Sequence, residues 1–182
     1  MRVISGSARG LKLKAPEGMN TRPTTDRIKE SLFNIIAADL YDICFLDLFG
    51  GSGAIVIESL SRGAKKAWFA DSSRQSVNII KDNIKRARLE DKAEVLCCDY
   101  MRALERIKAE GVVFDMIFLD PPYGKGLAET AMDAIVRLGL LKEDGCIIAE
   151  QAAEEPEISV RGLEVYRIKD YKTTKMTFLN LI

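Results

Sequence analysis

Four consecutive residues, Asp120-Pro121-Pro122-Tyr123, follow directly on an apolar run at 114–119. Two prolines at a strand exit set an extended, rigid turn, and the Pro121 carbonyl stands without a competing N–H of its own. Asp120 and that carbonyl can together accept both hydrogens of an amine, while Tyr123 offers an aromatic face for a planar base. The exocyclic amine of a nucleobase suits this arrangement. Its lone pair is delocalised into the ring, and accepting both hydrogens localises the pair and aims it in line with an electrophilic methyl group.

A second constellation, Asp47-Leu48-Phe49-Gly50-Gly51-Ser52-Gly53, ends the first core run and opens a helix, the place where doubly wound folds hold a cofactor. Glycines there bring backbone close to a ligand and leave helix N-terminal N–H groups to meet it. The dinucleotide fingerprint needs a third glycine, and Val56 occupies that position. Asp47 repels a pyrophosphate but welcomes an ammonium or sulfonium, which points away from NAD and toward an amino-acid-bearing cofactor. Asp71, roughly 20 residues beyond the loop, is placed to accept both hydroxyls of a ribose. Asp99 suits an adenine amino group. Each of these acids alone serves equally well as a helix N-cap, but three successive strands ending in Asp weaken that explanation jointly.

Composition narrows the chemistry further. The chain has 182 residues, 27 Lys+Arg against 27 Asp+Glu, and no histidine. Without histidine the Ser/His and Cys/His nucleophilic pairs and most zinc sites are excluded, and no metal is expected. Catalysis must use carboxylates, backbone dipoles, tyrosines, lysines or a cofactor. Cys44, Cys97, Cys98 and Cys146 form no C-x-x-C pair and are expected to be buried, reduced thiols. The chain opens on a basic stretch without an apolar leader, and no uncharged run is long enough to span a bilayer, so a soluble cytoplasmic protein with no membrane partner is expected. The charge is segregated. Residues 1–14 carry Arg2, Arg9, Lys12 and Lys14 with no acid, 62–92 is basic, and 143–164 is acidic. The 62–92 cluster reads as solvated helix faces; the 1–14 arm, with glycines and no helical stripe, reads as a surface for a polyanion.

The elements that must position these residues alternate regularly. Apolar runs at 44–49, 67–70, 93–98, 114–119 and 146–149 are separated by helical patterns near 54–62, 73–88, 100–109 and 126–139, the rhythm of a parallel sheet covered on both faces. The stretches 165–171 and 175–182 alternate as strands with no room for a helix between them, and predict an antiparallel hairpin at one edge. Thr24 or Thr25 can cap a helix carrying Ile28, Leu32, Phe33, Ile35 and Ile36. One domain over 1–182 is expected, with a basic hairpin or extended arm at 1–20, an N-terminal helix at 21–38 and an α/β core at 43–182.

These blocks resemble the class I S-adenosylmethionine-dependent methyltransferases, and more narrowly the RsmD-type 16S rRNA (guanine(966)-N2)-methyltransferase family. The resemblance is carried by Met1-Arg2-Val3-Ile4-Ser5-Gly6 with Arg9-Gly10, by Arg22-Pro23-Thr24-Thr25-Asp26-Arg27, and by Glu30-Ser31-Leu32-Phe33-Asn34. It continues through 47–53, Leu60-Ser61-Arg62-Gly63-Ala64 and 120–123. Gly50 stands where the family commonly has Ala, and Ser73 where a second acid often follows the ribose-binding carboxylate. The resemblance implies a Rossmann-like, seven-stranded, mostly parallel sheet with its last strand antiparallel and helices on both faces. It implies S-adenosylmethionine as cofactor, held by Asp47, Phe49, Gly50, Gly51, Gly53, Asp71, Ser72, Asp99 and Tyr100, with Arg22 and Thr24 at the mouth. It makes Asp120, Pro121, Pro122 and Tyr123 the catalytic group, and Arg2, Arg9, Lys12 and Lys14 contacts to RNA.

The reaction so implied is methylation of N2 of one guanine in 16S rRNA, within an assembled or partly assembled small ribosomal subunit, by a monomer. A DNA or RNA adenine-N6 methyltransferase is the nearest alternative, since the same turn serves any exocyclic amine. An NAD(P)-binding oxidoreductase and a catalytically silent RNA-binding module stand further off.

Overall fold

The computed structural model describes residues 1–15 and 26–182; Arg22, Thr24 and the Thr25 cap lie outside them. Twelve named elements follow: α1 Asp26–Ile35, β1 Cys44–Asp47, α2 Ala54–Ser61, β2 Lys66–Ala70, α3 Arg74–Ala87, β3 Ala93–Leu96, α4 Tyr100–Ala109, β4 Phe114–Leu119, α5 Leu127–Leu138, β5 Leu141–Ala152, β6 Leu163–Asp170 and β7 Thr174–Leu181. The strands form one seven-stranded sheet in the order β3-β2-β1-β4-β5-β7-β6. The first five are parallel; β7 is antiparallel to both β5 and β6.

Continuously apolar strands need cover on both faces. On one face α1, α2 and α3 bring Leu32, Phe33, Val56 and Ile80 onto Phe45, Phe69, Phe118 and Phe178. On the other, α4 and α5 bring Leu104, Ile107 and Ile135 onto Leu46, Trp68 and Ile117. Both clusters reach the C-terminal ends of β2 and β4, with Phe69 and Phe118 buried in one and Ala70 and Leu119 in the other.

Several boundaries differ from the pattern-based expectation. β5 starts at Leu141 rather than near 146, because an exposed stretch pairs irregularly: the β4 register passes from Phe114↔Leu141 to Met116↔Cys146. The helix expected over 21–38 ends at Ile35 and continues only as a 3-10 turn, Ala37–Asp39. The four cysteines are free but not buried as expected. β3 is an edge strand that stops at Leu96, so Cys97 points to solvent, and Cys44, Cys98 and Cys146 are partly covered.

The N-terminal arm is a short hairpin, with an Arg2↔Lys12 bridge and the Val3 amide donating to the Leu11 carbonyl. It is clamped to the core rather than free. Val3 and Leu13 are buried, and Gly6 has φ +84° with its Cα so close to α2 that a Cβ would stand 1.7 Å from the Ser61 carbonyl oxygen. The buried Glu58 carboxylate accepts from the amides of Ile4 (2.8 Å) and Ser5 (2.9 Å), from Arg62 Nε (2.8 Å) and from Lys29 Nζ (3.1 Å). Lys29 also donates to the Arg2 carbonyl. Both charges are fully buried, a geometry tolerable only because each finds partners. Asn83 of α3 accepts from the Lys14 amide and donates to the carbonyls of Lys14 and Ser52, joining the arm to the glycine loop.

Candidate cofactor and target-amine site

A cavity of about 520 Å³ opens at the C-terminal edge of the parallel strands. Strand geometry brings its acids together: Asp47 ends β1 in register with Phe69 of β2 and Phe118 of β4, so Asp71 and Asp120 emerge just beyond it on either side. Asp99 and Tyr100 enter from the turn after β3, and all four carboxylates line the cavity with Phe49, Gly50, Gly51 and Ser72.

The loop between β1 and α2 takes its shape from backbone geometry. The Gly50 amide donates to the Ala70 carbonyl at 2.9 Å and the Gly53 amide to the Gly50 carbonyl at 2.7 Å. Gly51 and Gly53 have φ of +53° and +75°, which glycine adopts without steric cost. A Cβ at Gly53 would also stand 2.8 Å from the Phe69 ring. At Gly50 the nearest atom is the Ile80 δ-methyl at 3.3 Å, so alanine fits there only if that side chain gives slightly.

Asp71 accepts from the Gly51 amide at 3.2 Å with one oxygen and from the Ser73 amide at 2.8 Å with the other. It thereby ties the loop to the start of α3, whose N-cap is Ser73. A carboxylate has about four acceptor sites, so capacity remains for a diol. Asp99 is in part the N-cap that its position allowed, accepting from the Arg102 amide at 3.1 Å. Phe49 and Tyr100 pack on each other as a tilted aromatic pair with ring centroids 5.4 Å apart, and both line the cavity, where they offer an apolar wall for a planar base.

Asp47 is almost fully buried and accepts from the Phe49 amide at 3.2 Å. Burial pushes its carboxyl up to about 7; the Phe49 amide opposes the rise and the Asp71 charge adds to it. Asp120 is held well above the usual carboxylate range by burial first, then by the charges of Glu150 and Asp47. Uncompensated carboxylates in one pocket favour a cationic occupant. The nearby Lys29 does not supply that charge, since it is committed to Glu58.

The Asp120–Tyr123 turn is fixed from β5. Pro122 lines the cavity; the buried Pro121 and the 43% exposed Tyr123 are not among the lining residues, and the Tyr123 hydroxyl donates to Glu150 Oε1 at 3.3 Å. Burial, then the charges of Asp120 and Glu150, push its phenol far above the ordinary tyrosine value. Glu155 accepts from the amides of Gly124 (2.7 Å) and Ala152 (2.9 Å) and closes the same loop onto the end of β5.

Glu150, Glu155 and Lys29 escaped the sequence reading. Glu150 carried a signal, an acid directly after the apolar run 146–149, but it lay within a stretch read only as acidic. Lys29 stood in the apolar stripe of α1 at helical spacing from Leu32, Phe33 and Ile36. The basic arm residues stand outside the cavity: Arg2, Arg9, Lys12 and Lys14 are exposed, and Lys14 pairs with Asp82 at 2.9 Å. Among the described residues no cluster of acids and cysteines is arranged to hold a metal ion, and no helix is long and apolar enough to cross a membrane.

Comparison with known proteins gives consistent relatives. Residues 1–180 match the family model described as conserved hypothetical protein 95. YlbH of Bacillus subtilis is 42% identical over 176 residues, covering 96% of this chain and 95% of that one. The ribosomal RNA small subunit methyltransferase D of Haemophilus influenzae is 34% identical over 160 residues, covering 87% of this chain and 82% of that one. The solved structure of yhhF from Escherichia coli superposes with a TM-score of 0.88 at 31% identity, covering 100% of this chain and 97% of that one.

Proposed function

The chain belongs to the conserved hypothetical protein 95 family, and on that premise we propose that it methylates ribosomal RNA at the exocyclic N2 amine of a guanine in the small subunit. S-adenosylmethionine is the cofactor, and when bound it supplies an electrophilic methyl group on a cationic sulfur. The observation that carries this reading is Asp120 at the cavity floor, beside Asp47, in a turn whose Tyr123 is held by Glu150.

Asp47 and the Gly50–Gly53 loop hold the amino-acid end of the cofactor, Asp71 the ribose, and Asp99 with the Phe49 and Tyr100 rings the adenine. Arg22 and Thr24 belong to the mouth of the same site on this reading. Beside a cation, Asp47 and Asp120 return to their ionised forms. Asp120 and the Pro121 carbonyl then accept the two hydrogens of the guanine amine and orient its lone pair, and Tyr123 stacks on the base. The base must leave its stack to reach this turn. With the methyl group supplied by the cofactor, the methylated amine would be cationic and would pass a proton to Asp120 or to water. That step needs placement more than a dedicated base, so the absence of histidine is no handicap.

The whole chain acts as one domain, as a cytoplasmic monomer without a metal, and its substrate is the rRNA of an assembled or partly assembled small subunit. Arg2, Arg9, Lys12 and Lys14 contact that RNA. Incubating the protein with labelled S-adenosylmethionine and purified small subunits, then digesting the rRNA to nucleosides, tests the reading. Labelled N2-methylguanosine is the expected product; label in N6-methyladenine or in DNA instead overturns it.

A further inference from the structure

We propose that the cleft between α1 and β6 binds the phosphodiester backbone of the RNA strand flanking the target nucleotide. The inference rests on the RNA-methylation reading and adds a contact surface separate from the N-terminal arm. The cleft has a volume of about 540 Å³ and is lined by Arg27, Glu30, Ser31 and Asn34 of α1 and by Arg167 and Lys169 of β6. Three cations thus face one carboxylate. Among the described residues, none of the three is in an ion pair, unlike Lys14, Lys66, Arg106 and Lys142, which face carboxylates at the surface.

The cleft is built rather than incidental. The Arg167 guanidinium lies 5.9 Å from the centroid of the Phe178 ring, which orients its planar fork. The Tyr171 hydroxyl donates to Ser31 Oγ at 2.8 Å and ties the end of β6 to α1, so the two walls keep a fixed separation. Charged forks with small hydroxyl and amide side chains between them are the donor set that phosphate oxygens take from proteins. Apart from Ile35, the lining side chains are polar or charged, which disfavours an apolar partner.

Register places the cleft beside the site. Lys169 pairs with Met176 of β7, and Met176 pairs with Glu150 of β5, the residue that holds Tyr123. Two strand spacings, about 10 Å, therefore separate the Lys169 and Glu150 backbones. A strand whose guanine is turned into the cavity past Tyr123 passes the mouth of the cleft within a few nucleotides. The arm that carries Arg2, Arg9 and Lys12 packs against α1 and α2 on this same face of the sheet.

The test compares the wild-type chain with Lys169→Gln and with Arg167→Gln/Lys169→Gln. Binding of a labelled single-stranded RNA oligonucleotide and of small ribosomal subunits is followed over a salt series, with S-adenosylmethionine affinity measured in parallel. Each lost phosphate contact should lower the slope of log K against log salt by about 0.7 to 0.9. The double variant should bind RNA roughly tenfold or more weakly at low salt with unchanged cofactor affinity. Lys169→Gln leaves the Arg167–Phe178 contact in place and should show one slope increment alone, which guards against misfolding of the double variant. Unchanged slopes in both variants overturn the proposal, as does a loss of RNA affinity without any change in slope. If the variants lose slope but wild-type protein never methylates rRNA, the activity reading fails and the cleft stands; if wild-type protein methylates and the variants keep its slope, the cleft fails and the activity stands.

Discussion

At the scale of single residues, the site is a set of carboxylates whose burial is costly until a cation arrives. For Asp47, burial raises the folded-state value to about 7, so the folded protein holds a proton that the unfolded chain releases near the ordinary carboxylate value. The sign follows directly: this group's contribution to stability declines as pH rises from about 4 to 7 and is constant above. Affinity for a cationic cofactor runs the other way, because only ionised Asp47 attracts it. Calorimetry between pH 6 and 8 should show affinity for S-adenosylmethionine falling below pH 7, by at most about tenfold per unit for one proton, and Asp47→Asn should flatten that dependence. Asp120→Ala should reduce kcat by roughly 10²–10³-fold while changing cofactor Kd far less, measured by single-turnover methyl transfer and equilibrium binding. Glu150 holds Tyr123 and also acts on Asp120 through its charge. Tyr123→Phe breaks the 3.3 Å contact alone and should raise KM for RNA several-fold, while Glu150→Leu should raise KM by a similar factor and change kcat as well; adding Tyr123→Phe to Glu150→Leu should raise KM little further, because the contact is already gone.

Among the elements, α2 does more than cover the sheet. Its eight residues are all buried, and its Glu58 gathers two backbone amides of the arm and the side chains of Lys29 and Arg62. Glu58→Gln leaves Lys29 buried without its counter-charge and should cost about 3–5 kcal/mol in urea unfolding. Amide exchange at Ile4 and Ser5 should accelerate in the same variant, and the paired change Lys29→Met/Glu58→Gln should recover part of the loss. Gly6 and Gly10 between short apolar segments left this stretch readable as a hairpin or an extended arm, and the Arg2↔Lys12 pairing decided for the hairpin. The arm's docking was not legible, because Glu58 lies more than fifty residues from the amides it binds, and no local pattern links positions so far apart. β5 shows a different limit. Its apolar centre at 146–149 was visible, but the extension back to Leu141 depends on pairing with β4 rather than on its own exposed residues.

For the molecule as a whole, cofactor binding should be read out as stability. At a hundredfold excess over Kd, S-adenosylmethionine should contribute about 2.7 kcal/mol, a rise in Tm of roughly 5–11 °C for a chain of this size, while NADH should give none. Thermal shift measurements with both ligands check this and separate the methyltransferase reading from an oxidoreductase. Segment order, the parallel core, the final antiparallel strands and the glycine loop were all contained in the sequence, because each follows from local periodicity and backbone sterics within a few residues. The four aspartates could likewise be named individually, since strand ends and turns announce themselves by residue type. Tertiary structure alone decided which charges share a pocket. The burial that raises Asp47 and Asp120, the Glu150 contact that holds Tyr123, and the Lys29–Glu58 pair that removes a cation from the site arise between residues distant in sequence. Coulomb and desolvation energies depend on separation in space and on exclusion of water, and neither quantity exists until the sheet has assembled.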